Sequence, residues 1–315
     1  MESLNRMSVE LVDEALDFAE ELGVTPIELS SGATVLDFGV DAMGGMEAGL
    51  LLTEIQTAGL ATVQTRMDSV AGGVRPHVEL TTDHPGVALL CSQKAGWELD
   101  LPGFEGLGSG PARALVGEES EFATVGYYDE FDLTVLSVES TTLPDETVAS
   151  HVAERANVEE SAVFLPTCAT GSTAGSVTTA ARAAELAVFR LFELGYDPTA
   201  VRSASGSAPL PPVSYDETEA MGRTNDALAY GGEVHLTVED DDPDAFEQVP
   251  SAAGEEYGTP FADIFADADY DFYQVDEAVF APAQVTIDVI DGPSYVLGET
   301  DESVLAESWG LPTED

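Results

Sequence analysis

Apolar positions recur along this chain at two spacings, one helical and one alternating. Over residues 8–22, Val9, Val12, Leu16, Ala19 and Leu22 share one stripe, which predicts an amphipathic helix with Ser8 as its N-cap. Two short apolar runs at 27–29 and 34–38, joined by Ser30-Ser31-Gly32, predict a hairpin. The Gly-rich stretch 43–60 predicts a helix packed closely against other backbone. Strands are expected at 61–67, 77–82, 132–138 and 162–166, and Pro144-Asp145 opens a helix that runs to about residue 156. An Ala-rich stretch predicts one long helix over 173–194, ended by Gly195. A helix over 215–229, a strand at 233–239, a short helix near 260–267 and strands at 284–290 and 294–297 follow. Residues 240–244 (DDDPD) read as an acidic loop. Strands and helices mix without strict βαβ alternation, so the expected fold class is α/β with an α+β-like mixture, in two lobes, 1–160 and 161–315.

Charge changes this picture. The chain has 315 residues, 60 of them acidic and 10 basic, for a formal net charge of −50. With 44% apolar residues it has ample material for a core, so the charge marks an acidic coat on a folded protein rather than disorder. Such a coat repels itself at ordinary ionic strength, whereas at about 1 M salt the Debye length shrinks to about 3 Å. Lys94 is the single lysine of the chain. An acid-rich, lysine-poor surface suits a cytoplasm holding molar salt, as in halophilic archaea. It argues against nucleic acid or an anionic membrane as partner, since both call for basic patches. No apolar run approaches the roughly 18 residues of a membrane span and no signal-like segment opens the chain, so a cytoplasmic location is expected. Cys91 and Cys168 read as small buried hydrophobes, and the four scattered histidines give no metal site.

Four polar, Gly-rich segments stand out. They are Thr82-Asp83-His84-Pro85 leading into Ser92-Gln93-Lys94-Ala95-Gly96-Trp97, the run Gly106-Leu107-Gly108-Ser109-Gly110-Pro111-Ala112-Arg113, the run from Thr170 to Ser176 continuing into Arg182 and Glu185, and the run from Glu219 through Asn225 and Asp226 to Gly232. Each has a plain explanation. The glycines of GLGSGP match neither phosphate-loop nor dinucleotide fingerprint, so a turn explains them best. Asp83-His84 reads as a turn before Pro85 more readily than as a base with its orienting carboxylate. Lys94 is either an ordinary surface lysine or a functional one, retained where the rest of the chain has dispensed with lysine. If it lines a pocket, its removal should cost function and little stability. Arg182 and Glu185, three apart, share a helix face, where most such pairs are solvent-exposed and worth little. The small residues around them suggest close approach by another body.

Taken together, EAGLLLTEI from Glu47, TDHP, SQKAGW, GSGPARA, the Gly-Ser-rich run and EAMG with TNDA and YGG resemble methenyltetrahydromethanopterin cyclohydrolases of archaeal and methylotrophic one-carbon metabolism. The resemblance covers most of the chain and is weaker over the last 80 or so residues. It implies two α/β lobes, each a sheet covered by helices, with a pocket between them, and a homo-oligomer, a trimer. The substrate it implies carries a methenyl bridge between two nitrogens of a tetrahydropterin. Water adds to that bridge and a formyl-tetrahydropterin results, with no metal or redox cofactor. The resemblance makes Glu185 the catalytic carboxylate and Arg182 its partner, with Lys94 also in the catalytic set. Ser92, Gln93, Ser109, Gly110, Arg113, Asn225 and Asp226 are implied as substrate-binding or supporting residues. Two other readings stay open: the same reaction on the tetrahydrofolate carrier, and a non-catalytic pterin- or nucleotide-binding protein.

Overall fold

The computed structural model describes residues 2–268 and 274–312. They form two compact units. One comprises Met1–Thr62 and Gly86–Thr178, the other Val63–Pro85 and Thr179–Asp315. The chain therefore passes between units near residues 62, 85 and 178, not once near 160.

The first unit is built on a seven-stranded mixed sheet. Its strands run in the order Thr25–Glu28, Thr34–Gly39, Val163–Cys168, Ser137–Glu139, Phe104–Ser109 and Ala95–Leu101, with Thr134–Val135 also pairing Val163–Cys168. Val163–Cys168 is parallel to all its neighbours and almost wholly buried, the pattern of a strand covered on both faces. Alternation along Thr34–Gly39 sends Val35 to one core, with Trp97, Leu136, Val138, Val148 and Leu165, and Leu36 and Phe38 to the other, with Val12, Leu52 and Ile55. The expected hairpin is present, Thr25–Glu28 pairing antiparallel with Thr34–Gly39. Asp145 caps the helix Glu146–Ala156, its side chain accepting from Thr147 and Val148 N–H. The helix Met46–Gln56 is packed as closely as its glycines suggested: a Cβ on Gly49 would lie 2.6 Å from Val177 Cβ.

The second unit carries a six-stranded sheet in the order Ser294–Gly298, Gln284–Val289, Glu233–Val238, Val201–Pro209, Gly73–Thr82 and Thr62–Val70. In it Glu233–Val238 pairs in parallel with Gln284–Val289, whereas Val201–Pro209 is antiparallel to both its neighbours. Strict alternation buries Val234, Leu236, Val238, Val285 and Ile287 on one face. The helix Ala183–Glu193 lies against Val201–Pro209, where a Cβ on Gly206 would stand 2.6 Å from the Ala184 backbone nitrogen. Glycine is what lets this helix approach the sheet.

Three expectations are corrected. The first helix starts at Leu4, not after Ser8; Ser3 caps it, and Ser8 is buried inside it, donating to the Ile55 carbonyl at 2.6 Å. The extra turn is held by Asn5, whose amide donates to the Pro111 carbonyl and to Asp129, contacts far away in sequence. The 173–194 helix is two, Thr173–Ala180 and Ala183–Glu193. They break where Arg182 N–H closes a tight turn onto the Thr179 carbonyl. Finally, Gly106 and Gly108 are strand residues of Phe104–Ser109 rather than a turn, and a Cβ on Gly108 would stand 3.1 Å from the Leu136 side chain and from Trp97 Cβ.

Candidate active site

Arg182 and Glu185 owe their setting to that helix break. Arg182 is the N-cap residue of Ala183–Glu193, and Glu185 is in its first turn. The start of a helix favours a negative charge. Glu185 has 3% of its side chain exposed and Arg182 11%, and Arg182 Nη1 lies 3.2 Å from Glu185 Oε2. This is not the solvated surface pair that spacing alone suggests. A buried carboxylate paired with a guanidinium at a helix start is held in one orientation.

Lys94, Ser92, Gln93, Ser109, Gly110 and Arg113 are brought together in the first unit. Residues Gly86–Gln93 form a π-helix, and the Lys94 N–H closes it onto the Leu89 carbonyl at 2.8 Å. Such wide turns are frequent at functional sites. Ser92 and Gln93 are fully buried. The Ser92 hydroxyl donates to the Gln56 carbonyl at 2.6 Å, and its own carbonyl accepts from Gly110 N–H at 2.7 Å. Arg113 has no exposed surface. Its Nη1 donates to the carbonyls of Leu90, Ser92 and Lys94 at 3.1, 3.3 and 2.9 Å, and its Nε to Glu119 at 2.8 Å. Arg113 thus ties down the end of the π-helix. Lys94 Nζ pairs with Glu121, on the neighbouring helix Ser120–Val125. Burial alone would raise the Glu121 carboxyl, but the Lys94 ammonium, followed by its own backbone N–H and Arg113, brings it below its ordinary value. Neither Glu119 nor Glu121 is singled out by the sequence. The one available signal is that a lone lysine and a buried arginine need carboxylates, and 60 acidic residues leave the choice open.

Asn225 and Asp226 lie on the helix Glu217–Gly231 of the second unit. The Asn225 amide donates back to the Met221 carbonyl at 2.9 Å. Asp226 is buried; its carboxyl accepts from Phe261 N–H at 2.8 Å and from the Ser308 hydroxyl at 2.5 Å, tying two further helices to this one. Burial, only partly offset by those two hydrogen bonds and reinforced by Asp263, pushes the carboxyl up to about 7. The folded state then keeps a proton that the unfolded chain releases near 3.8, so stability from this group is complete below about 3.8, falls as pH rises towards about 7, and falls no further above it. Asp226→Asn removes that dependence. At fixed molar salt, the melting temperature of the variant relative to the parent is expected to rise by several degrees from about pH 5 to about pH 8. A difference that stays flat with pH would mean that Asp226 is ionised in the fold.

Asp83 and His84 are exposed in a bend before the π-helix, as a turn requires, with His84 N–H donating to Thr82 Oγ1 at 3.0 Å. Both cysteines are buried, and burial pushes the Cys91 thiol up to about 12. Among the described residues no helix is long and apolar enough to cross a membrane.

A carboxylate fixed by a guanidinium can take up and return a proton. Comparison with known proteins narrows the class. A family model described as Cyclohydrolase (MCH) matches residues 3–309. The methenyltetrahydromethanopterin cyclohydrolase of Halobacterium salinarum is 59% identical over 311 residues, spanning 99% of this chain and 100% of that protein. Those of Methanocella arvoryzae and Methanococcus maripaludis (strain C7) are 40% identical over 315 residues and 42% over 320, covering 99% and 98% of each chain. The chain belongs to the methenyltetrahydromethanopterin cyclohydrolase family.

Proposed function

We propose that this chain hydrolyses the methenyl bridge of 5,10-methenyl-tetrahydromethanopterin to the formyl-tetrahydropterin, with Glu185 as the base. The observation that carries this reading is the buried Arg182–Glu185 pair. The bridging carbon belongs to an amidinium and is already electrophilic, so the chemistry calls for no Lewis acid and no redox cofactor. A base must take one proton from water as its oxygen bonds to that carbon, and that proton must then reach the nitrogen whose C–N bond breaks, while the second water proton leaves the new hydroxyl for solvent as the formyl C=O forms. One carboxylate does both when it starts ionised and within hydrogen-bond reach. Arg182 orients Glu185 and supports its charge, and the carboxylate complements the cationic substrate. Lys94 handles substrate from the end of the π-helix, with Ser92, Gln93, Ser109 and Gly110 shaping that segment. Arg113 and Asp226 act by holding backbone in place, and Asn225 lies beside Asp226. The enzyme works in the cytoplasm as a homo-oligomer, a trimer.

Hydrolysis is followed directly, because the methenyl compound absorbs in the near ultraviolet. Catalytic bleaching supports the enzyme; stoichiometric binding without consumption would make the protein a carrier. Competition between the methanopterin and folate forms of the substrate tests the carrier specificity. Preference for the folate form would overturn that part of the proposal.

A further inference from the structure

Four charges converge at the end of the π-helix: Lys94 with Glu121, and Arg113 with Glu119. Glu121 has 3% of its side chain exposed, Lys94 16% and Arg113 none. In a chain of net charge −50 this cluster of two cations and two carboxylates sums to zero. Arg113 is committed to three carbonyls and Glu119, and Glu121 is a carboxylate paired with the Lys94 ammonium. Ser120, beside it, donates to the other Glu121 oxygen at 3.3 Å. The substrate of the proposed reaction is a cation. An uncompensated ammonium facing it would repel it, and molar salt does not screen a pair from which solvent is largely excluded.

We propose that Glu121 is a positioning residue for the cyclohydrolase reaction: it fixes the Lys94 ammonium and cancels its charge, so that the π-helix end accepts a cationic methenyl substrate. The proposal rests on the reading that Lys94 handles substrate. It also assigns a direction to the effect. The methenyl compound carries the positive charge and the formyl compound has lost it, so loss of Glu121 weakens binding of the first and spares the second.

The test is steady-state kinetics in both directions at fixed molar salt. Glu121→Gln is expected to raise KM for the methenyl compound about tenfold with kcat within about twofold. In the reverse direction KM for the formyl compound stays unchanged and kcat falls by about the same tenfold, since no substitution alters the overall equilibrium. Glu121→Asp, which keeps the charge, is expected to bring the forward KM back to within about threefold of the parent. A purely structural role would lower kcat in both directions and leave both KM values alone. That result, or a KM that falls for both compounds, would overturn the proposal, as would a Glu121→Asp variant as impaired as Glu121→Gln. Should Glu121→Gln fail to fold, Glu121→Asp carries the test alone, and a forward KM more than about threefold above that of the parent there would overturn the proposal. Parent-like kinetics in Lys94→Ala would refute the underlying reading of Lys94. Impaired Lys94→Ala beside parent-like Glu121→Gln would refute the inference alone.

Discussion

Glu185→Gln lowers turnover by about 10²–10⁴-fold while substrate still binds. The amide keeps the size of the side chain and one oxygen, so the buried position next to Arg182 is refilled without a cavity. What disappears is the capacity to take a proton from water. Loss of the carboxylate also leaves the largely buried Arg182 guanidinium without that charge beside it, so stability falls as well, and a melting curve beside the kinetics separates lost fold from lost chemistry. KM is expected to rise by about tenfold at most, the size of effect assigned above to losing one carboxylate charge near a cationic substrate. Near-parental turnover in this variant would remove Glu185 as the base, and His84 would be the next residue to test.

Folding itself is expected to fail on dilution of salt. With a formal charge of −50, neighbouring surface carboxylates repel one another across a Debye length of about 10 Å at 0.1 M salt, and scarcely interact at about 1 M. Many of the ion pairs of the fold are exposed ones, such as Arg6 with Glu2 and Arg202 with Glu239, and contribute little against this repulsion. The melting temperature should therefore fall progressively between molar and millimolar salt, with activity lost in step. Because the effect is screening, sodium and potassium chloride should restore it to similar extents. A melting temperature independent of salt would show that the acidic coat is not what limits stability.

Much of the architecture was legible because it is written in local periods. The Thr25–Gly39 hairpin, the Asp145 cap and the buried strand Val163–Cys168 follow from a turn, a capping side chain and an apolar run. What escaped was set at a distance. The hairpin of Thr62–Val70 and Gly73–Thr82 turns through Ala71 at φ 49° and Gly72 at φ 73°, and alanine gives no warning of a left-handed turn. Its strands belong to the second unit, although the chain around them builds the first, so no single cut could divide the molecule. The pairing of Arg182 with Glu185 was legible from spacing, but its burial was not, because burial depends on the helix break at Ala181-Arg182. Lys94 shows the same limit. Its removal was expected to cost little stability, yet it leaves the Glu121 carboxylate buried without its ammonium, so stability should fall with function.

The central claim is that Arg182 and Glu185 form one catalytic unit, and a double-mutant cycle tests it most directly. The measurement is kcat for the parent, Arg182→Ala, Glu185→Gln and the double variant, from bleaching of the methenyl chromophore at one pH and one molar salt concentration. If Arg182 acts through Glu185, the double variant is little slower than Glu185→Gln alone. Losses that multiply in the double variant would contradict the account, since Arg182 would then contribute to catalysis independently of the carboxylate it holds.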